Sequence, residues 1–65
     1  MSELSQKVLK ILQANFENSS FTNSELISKG FSKTETTTAI RELEENDYIY
    51  IKDVYVNGTP AYALL

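Results

Sequence analysis

Residues 22–35 read Thr22-Asn23-Ser24-Glu25-Leu26-Ile27-Ser28-Lys29-Gly30-Phe31-Ser32-Lys33-Thr34-Glu35, and the same signal occurs in them twice. Thr22 with Glu25, and Ser32 with Glu35, each match a capping box. In such a box the hydroxyl accepts from the amide three residues on, and the glutamate reaches back to the cap amide. Between the two boxes, Gly30 is free to take the left-handed conformation that ends a helix. The stretch predicts a short helix, a tight turn and a second helix.

Upstream, Leu4, Val8, Ile11 and Leu12 recur at helical spacing, with Leu9 and Phe16 near the same side. Ser2 or Ser5 is the expected cap. Residues 15–20 are polar and turn-rich, so this first helix should stop near Asn15 or Phe16. Phe21 stands alone before the first box, placed to staple against Leu26 or Ile27. The second helix is expected over 23–29 with Leu26 and Ile27 inward, and Phe31 in the turn plugs the core. The third should run from 33 to about 46. Thr36, Ala39, Ile40, Leu43 and Asp47 fall near its buried line, and Thr34, Thr37, Thr38, Arg41 and Glu45 make up the opposite stripe.

Downstream, residues 48–56 are rich in aromatic and β-branched types and lead into Asn57-Gly58, a short-range hairpin signal. A two-residue type I′ loop pairs Val56 with Thr59, Val54 with Ala61 and Ile51 with Leu64. Ile49, Ile51, Tyr62 and Leu64 then share the core side. Pro60 suits an edge strand, since its nitrogen points away from the partner. The other face carries Tyr50, Lys52, Val54 and Val56 with Ala61, Ala63 and Leu65 opposite, which is apolar for a solvent-facing surface. Either a bulge alters the register or this face meets a partner.

Sixty-five residues imply one domain over 1–65, near the lower size limit for folding without staples. With no cysteine and no histidine, disulfides, thiolate metal sites and the commonest general base are all missing. Nothing resembles a phosphate loop or a nucleophile elbow, so no catalytic residue, metal or cofactor is expected and the chain does not read as an enzyme. No apolar run is long enough for a membrane span, and no small-molecule substrate is evident. No signal peptide is visible, so the cytoplasm is the expected compartment. Nine acidic and six basic side chains give a net charge of −3. That balance argues mildly against tight DNA binding by a monomer but leaves room for a basic patch on one face.

The order helix, short strand, helix, turn, helix, hairpin resembles the winged helix-turn-helix family of transcriptional regulators over nearly the whole chain. Thr22 with Glu25-Leu26 is similar to that family's start of helix 2, and Ser32 to the cap of its recognition helix. Leu43-Glu44-Glu45-Asn46-Asp47-Tyr48-Ile49 resembles its exit into the first wing strand, and Gly58, Tyr62 and Leu64 resemble the wing's turn and return strand. Asp47 stands where the family usually has glycine, Thr38 stands where arginine is frequent, and the turn after helix 2 is one residue shorter than is common. The fold expected is therefore α+β, mainly α: a three-helix winged helix-turn-helix with a C-terminal β-hairpin wing over 48–65.

The resemblance implies a small DNA-binding regulator of transcription whose third helix enters the major groove of double-stranded DNA. The residues within reach are Lys33, Thr34, Thr37, Thr38 and Arg41, with Lys52 on the wing and Lys29 placed for phosphate. Arg41 either forks to a guanine edge or pairs with Glu45 at i+4. The threonines are either contacts or a passive exposed face, although so many poor helix formers point to a constraint other than helix stability. Lys7 and Lys10 read as ordinary solvated residues. Glu42, Glu44 and Glu45 oppose the helix dipole and read as a solvated surface or a protein-facing one. The alternative function is a protein-interaction module, a homodimer or an adaptor without DNA binding. Its interface would be Tyr50, Val54, Val56, Ala61 and Leu65.

Overall fold

Hydrophobic spacing and helix stops divide the chain into three helices followed by two strands. The structure is a computed structural model that describes residues 1–65. Its elements are α1 (Glu3–Asn15), α2 (Asn23–Ser28), α3 (Lys33–Glu45), β1 (Ile49–Val54) and β2 (Pro60–Leu64). This mainly helical α+β layout, three helices followed by an antiparallel hairpin, is compatible with a winged helix.

Ser2 caps α1, its hydroxyl accepting from the Ser5 amide at 3.2 Å. The expected box at Ser32 forms completely. Its hydroxyl accepts from the Glu35 amide at 3.0 Å, and the Glu35 carboxylate accepts from the Ser32 amide at 2.8 Å. The box expected at Thr22 does not form, because the Glu25 amide donates to the Thr22 carbonyl at 3.1 Å instead of to the hydroxyl. A six-residue helix also has only one inward side. Leu26 takes it, and Ile27, expected inward as well, is left exposed.

Two helices stop in the same way. At the end of α2 the Gly30 amide donates to Ile27 O and the Phe31 amide to Leu26 O. At the end of α3 the Asp47 amide donates to Glu44 O and the Tyr48 amide to Leu43 O. Both are Schellman motifs, which need a left-handed residue after the cap. Gly30 supplies it at φ 106°, and Asp47 adopts it at φ 62° despite its side chain. Asp47 therefore lies beyond α3 and is exposed, not on the buried line.

The core gathers Val8 and Leu12 from α1, Leu26 from α2, Ala39, Ile40 and Leu43 from α3, and Ile49 and Tyr62 from the strands, with Phe21 and Phe31 between helices. Phe21 and Tyr62 exchange backbone bonds of 2.8 and 2.7 Å, so β2 lies between β1 and a one-residue strand at Phe21. The Phe21 ring also packs 5.6 Å from Phe16 and 5.9 Å from Tyr62, centroid to centroid. Pro60 lies beyond this one-residue bridge with no strand on its outer side, so it stands at an edge of the two-stranded sheet, as expected. Its nitrogen points away from β1, on the same side as that of Tyr62.

The hairpin register differs from the expected one. Ile49 pairs with Leu64, Tyr50 with Ala63 and Ile51 with Tyr62; after an irregularity at Lys52, Asp53 pairs with Ala61 and Val54 with Pro60. The loop is Val56-Asn57-Gly58. The Gly58 amide donates to Tyr55 O at 2.8 Å and the Tyr55 amide to Thr59 O at 2.9 Å. Only Gly58 has positive φ, so the turn is the three-residue form with a glycine bulge and not type I′. Asn57 stabilises it by accepting from the Thr59 amide at 3.0 Å. Of the four residues expected on the core side, Ile49 and Tyr62 are buried and Leu64 is half-buried. Ile51 is exposed, because only the first residue of β1 is covered by the helices.

Two residues here work against stability, and each yields a prediction. The Thr36 hydroxyl is fully buried without a partner. Replacing it with the similarly shaped apolar Thr36→Val should stabilise the fold by about 1 kcal/mol, read as a rise in thermal midpoint of roughly 4–8 °C. Asp47→Gly removes left-handed strain and a charge at the negative end of α3, and should add about 1 kcal/mol in urea unfolding.

Candidate functional site

The capping box at Ser32 fixes where α3 begins, and so fixes the rotation of every later residue. Thr36, Ala39, Ile40 and Leu43 turn inward and are buried. Lys33, Thr34, Thr37, Thr38 and Arg41 consequently come out on one exposed face. They alone line a shallow groove of about 250 Å³ along the outer side of α3. Thr37 spends its hydroxyl hydrogen on the helix, donating to the Lys33 carbonyl at 3.0 Å. Its lone pairs remain available, as an acceptor beside two cations.

Lys52 does not line this groove. It sits at the β1 irregularity, exposed on the hairpin. Lys29 is the exposed C-cap of α2. The site the structure assembles is thus a five-residue helix face with two lysines elsewhere on the surface.

The set expected as a partner interface is not one surface. Ala61 is buried and pairs with Asp53. The irregularity at Lys52 reverses the alternation of side chains. Tyr50 therefore shares a face with Ala63 and Asp53, whereas Val54 shares one with Ile51 and Pro60. Val56 is in the loop, fully exposed. Leu65 lies apart, exposed beside Tyr48 in a second groove at the ends of α1 and α3.

Sequence reasoning missed two contacts of charged residues. Lys7 is not simply solvated: its ammonium stands 5.8 Å from the Phe31 ring centroid. Glu42 is not part of a free acidic end, because its carboxylate accepts from the Ser2 amide at 2.7 Å and from the Ser2 hydroxyl at 2.9 Å. This clasp ties the start of α1 to the last turns of α3. Both contacts join residues far apart in the chain, so no local spacing signals them. The second groove left no periodic signal either, since its lining comes from three separate stretches, 9–18, 47–48 and 64–65.

The Ser2 backbone bond, then the hydroxyls of Ser5 and Ser2, hold the Glu42 carboxyl below its ordinary value of 4.5. Burial, followed by the nearby Glu44 charge, pushes the Tyr62 phenol up. No helix is long and apolar enough to cross a membrane. Comparison with protein families, curated proteins and solved structures finds no match to this chain.

The clasp predicts an acid dependence. Because Glu42 is depressed in the folded chain, its stabilisation is complete above the unfolded value and is lost as pH falls through the lower folded value. Thermal melts of the wild type should therefore lose midpoint on acidification below about pH 4.5. Glu42→Gln should melt earlier than wild type at neutral pH, and the two curves should converge in acid.

Proposed function

We propose that this chain is a small winged-helix DNA-binding regulator of transcription, with α3 as its recognition helix and the hairpin as its wing. The observation that carries the reading is the α3 face. Five adjacent side chains, two cationic and three hydroxylic, line one groove with no acidic residue among them. In a chain of net charge −3, this is the face on which a phosphate backbone meets cations and hydroxyls and no lining carboxylate.

A helix about 20 Å long fits a groove about 12 Å wide, and side chains on one exposed face reach base edges there. Arg41 forks to guanine O6 and N7. Thr34, Thr37 and Thr38 bond phosphate oxygens or pack a methyl against thymine. Lys33 pairs with phosphate near the positive end of α3. The Glu35 charge at that end is held in the capping box by the Ser32 amide, which limits its repulsion of an anion. Lys52 and Lys29 contribute outlying phosphate contacts. Pairing two copies on DNA doubles the few cations each presents.

A second reading, a protein-interaction module, is favoured by the hairpin tip, where Val54, Tyr55 and Val56 are 55%, 57% and 109% exposed. The variant Val54→Lys with Val56→Lys separates the two. It leaves DNA affinity intact or raised under the first reading and abolishes association under the second.

The direct test is fluorescence anisotropy of a labelled mixed-sequence duplex. Affinity should fall steeply as salt rises, and Arg41→Ala with Lys33→Ala should weaken it about ten-fold or more at low salt. Unchanged affinity in that double variant overturns the reading.

A further inference from the structure

The largest concavity of the molecule lies away from the α3 stripe, where α1 and α3 end. It is a groove of about 630 Å³ lined in equal number by apolar residues, Leu9, Tyr48, Leu64 and Leu65, and by polar ones, Gln13, Glu17, Asn18 and Asp47. Tyr48 and Leu65 are 43% and 74% exposed, so part of this apolar surface faces water. The charged side chains that line it, Glu17 and Asp47, are both acidic. Neither α1 nor α3 has a basic residue in its last turn, so the negative ends of both helices are left uncompensated here. Glu44 extends the negative field toward the hairpin base, where it acts on Tyr62.

Charge decides what this groove accepts. Nucleic acid and anionic lipid are repelled. A second copy seated on the same groove across a two-fold axis would set Glu17 and Asp47 against their own counterparts. A lining half apolar and half polar, with acidic charges, suits an amphipathic helix laid into it, the helix supplying cations.

We propose that this groove docks an amphipathic segment of a partner protein whose apolar residues are flanked by Lys or Arg. The apolar side chains pack on Leu9, Tyr48 and Leu64, and the cations face Glu17 and Asp47. One cation is placed to stack on the Tyr48 ring. The groove shares no residue with the α3 stripe, so docking here is independent of DNA binding and compatible with it.

The test is an amide chemical-shift titration of the full chain with a synthetic amphipathic helix of Leu and Lys, beside its Leu–Glu counterpart. The Leu–Lys helix should shift Leu9, Gln13, Tyr48 and Leu64, and the Leu–Glu helix should shift nothing. Glu17→Gln with Asp47→Asn should weaken binding about ten-fold, whereas Glu3→Gln with Glu25→Gln, outside the groove, should leave it unchanged. Asn tolerates the left-handed conformation at 47, so the variant keeps its fold. Absent shifts, shifts spread over all acidic surfaces, or equal loss in the control pair overturn the proposal. Shifts of the same amides with protein concentration alone identify a second copy as the occupant and overturn it too.

Discussion

The backbone exchange between Phe21 and Tyr62 is the constraint on which the rest of the structure depends. It joins the segment between α1 and α2 to the return strand of the hairpin, giving β2 a neighbour on each side. A two-stranded hairpin alone is marginal in water, and this third partner fixes its base against the helices. The Phe21 ring, fully buried, then fills the space between α1, α2 and Tyr62. With no disulfide and a chain this short, such doubly used residues substitute for a larger core.

β1 remains a free edge, and the chain protects it. The bulge at Lys52 breaks the flat ladder, and the Asp53 carboxylate accepts from the outward Val54 amide at 2.8 Å. A bulge, a lysine and a capped donor on one edge oppose strand-to-strand association. The hairpin therefore exposes its apolar residues as side chains and not as an open ladder. Along α3, charge is separated by position: cations and hydroxyls lie on its outer face, and its carboxylates lie toward its end, apart from Glu35, which is held in the capping box. One helix thus carries an anion-compatible surface and borders a cation-compatible groove.

Much of this was legible in the sequence because the deciding signals are local. Gly30, the box at Ser32 and the spacing of Thr36, Ala39, Ile40 and Leu43 fix the start and rotation of α3, and with them the face of Lys33 to Arg41. Local patterns misled where another nearby group competed for the same partner. The Thr22 carbonyl takes the amide that its hydroxyl was expected to cap, and the Asn57 side chain favours a three-residue loop over the type I′ turn. That extra loop residue moves Val54 off the face of Ala61, and the bulge at Lys52 moves it off the face of Tyr50. The Ser2–Glu42 clasp and the groove at Tyr48 depend on where distant segments meet, which spacing does not encode.

The measurement that bears most directly on the central claim is an amide chemical-shift map of the wild-type chain titrated with mixed-sequence duplex DNA, first at low salt and then at about 150 mM. Shifts concentrated on Lys33 to Arg41, with a smaller set at Lys52 and both weakening with salt, are the result this account predicts. Absent shifts at either salt, or shifts centred on Tyr48 and Leu64, would contradict α3 as the nucleic-acid interface.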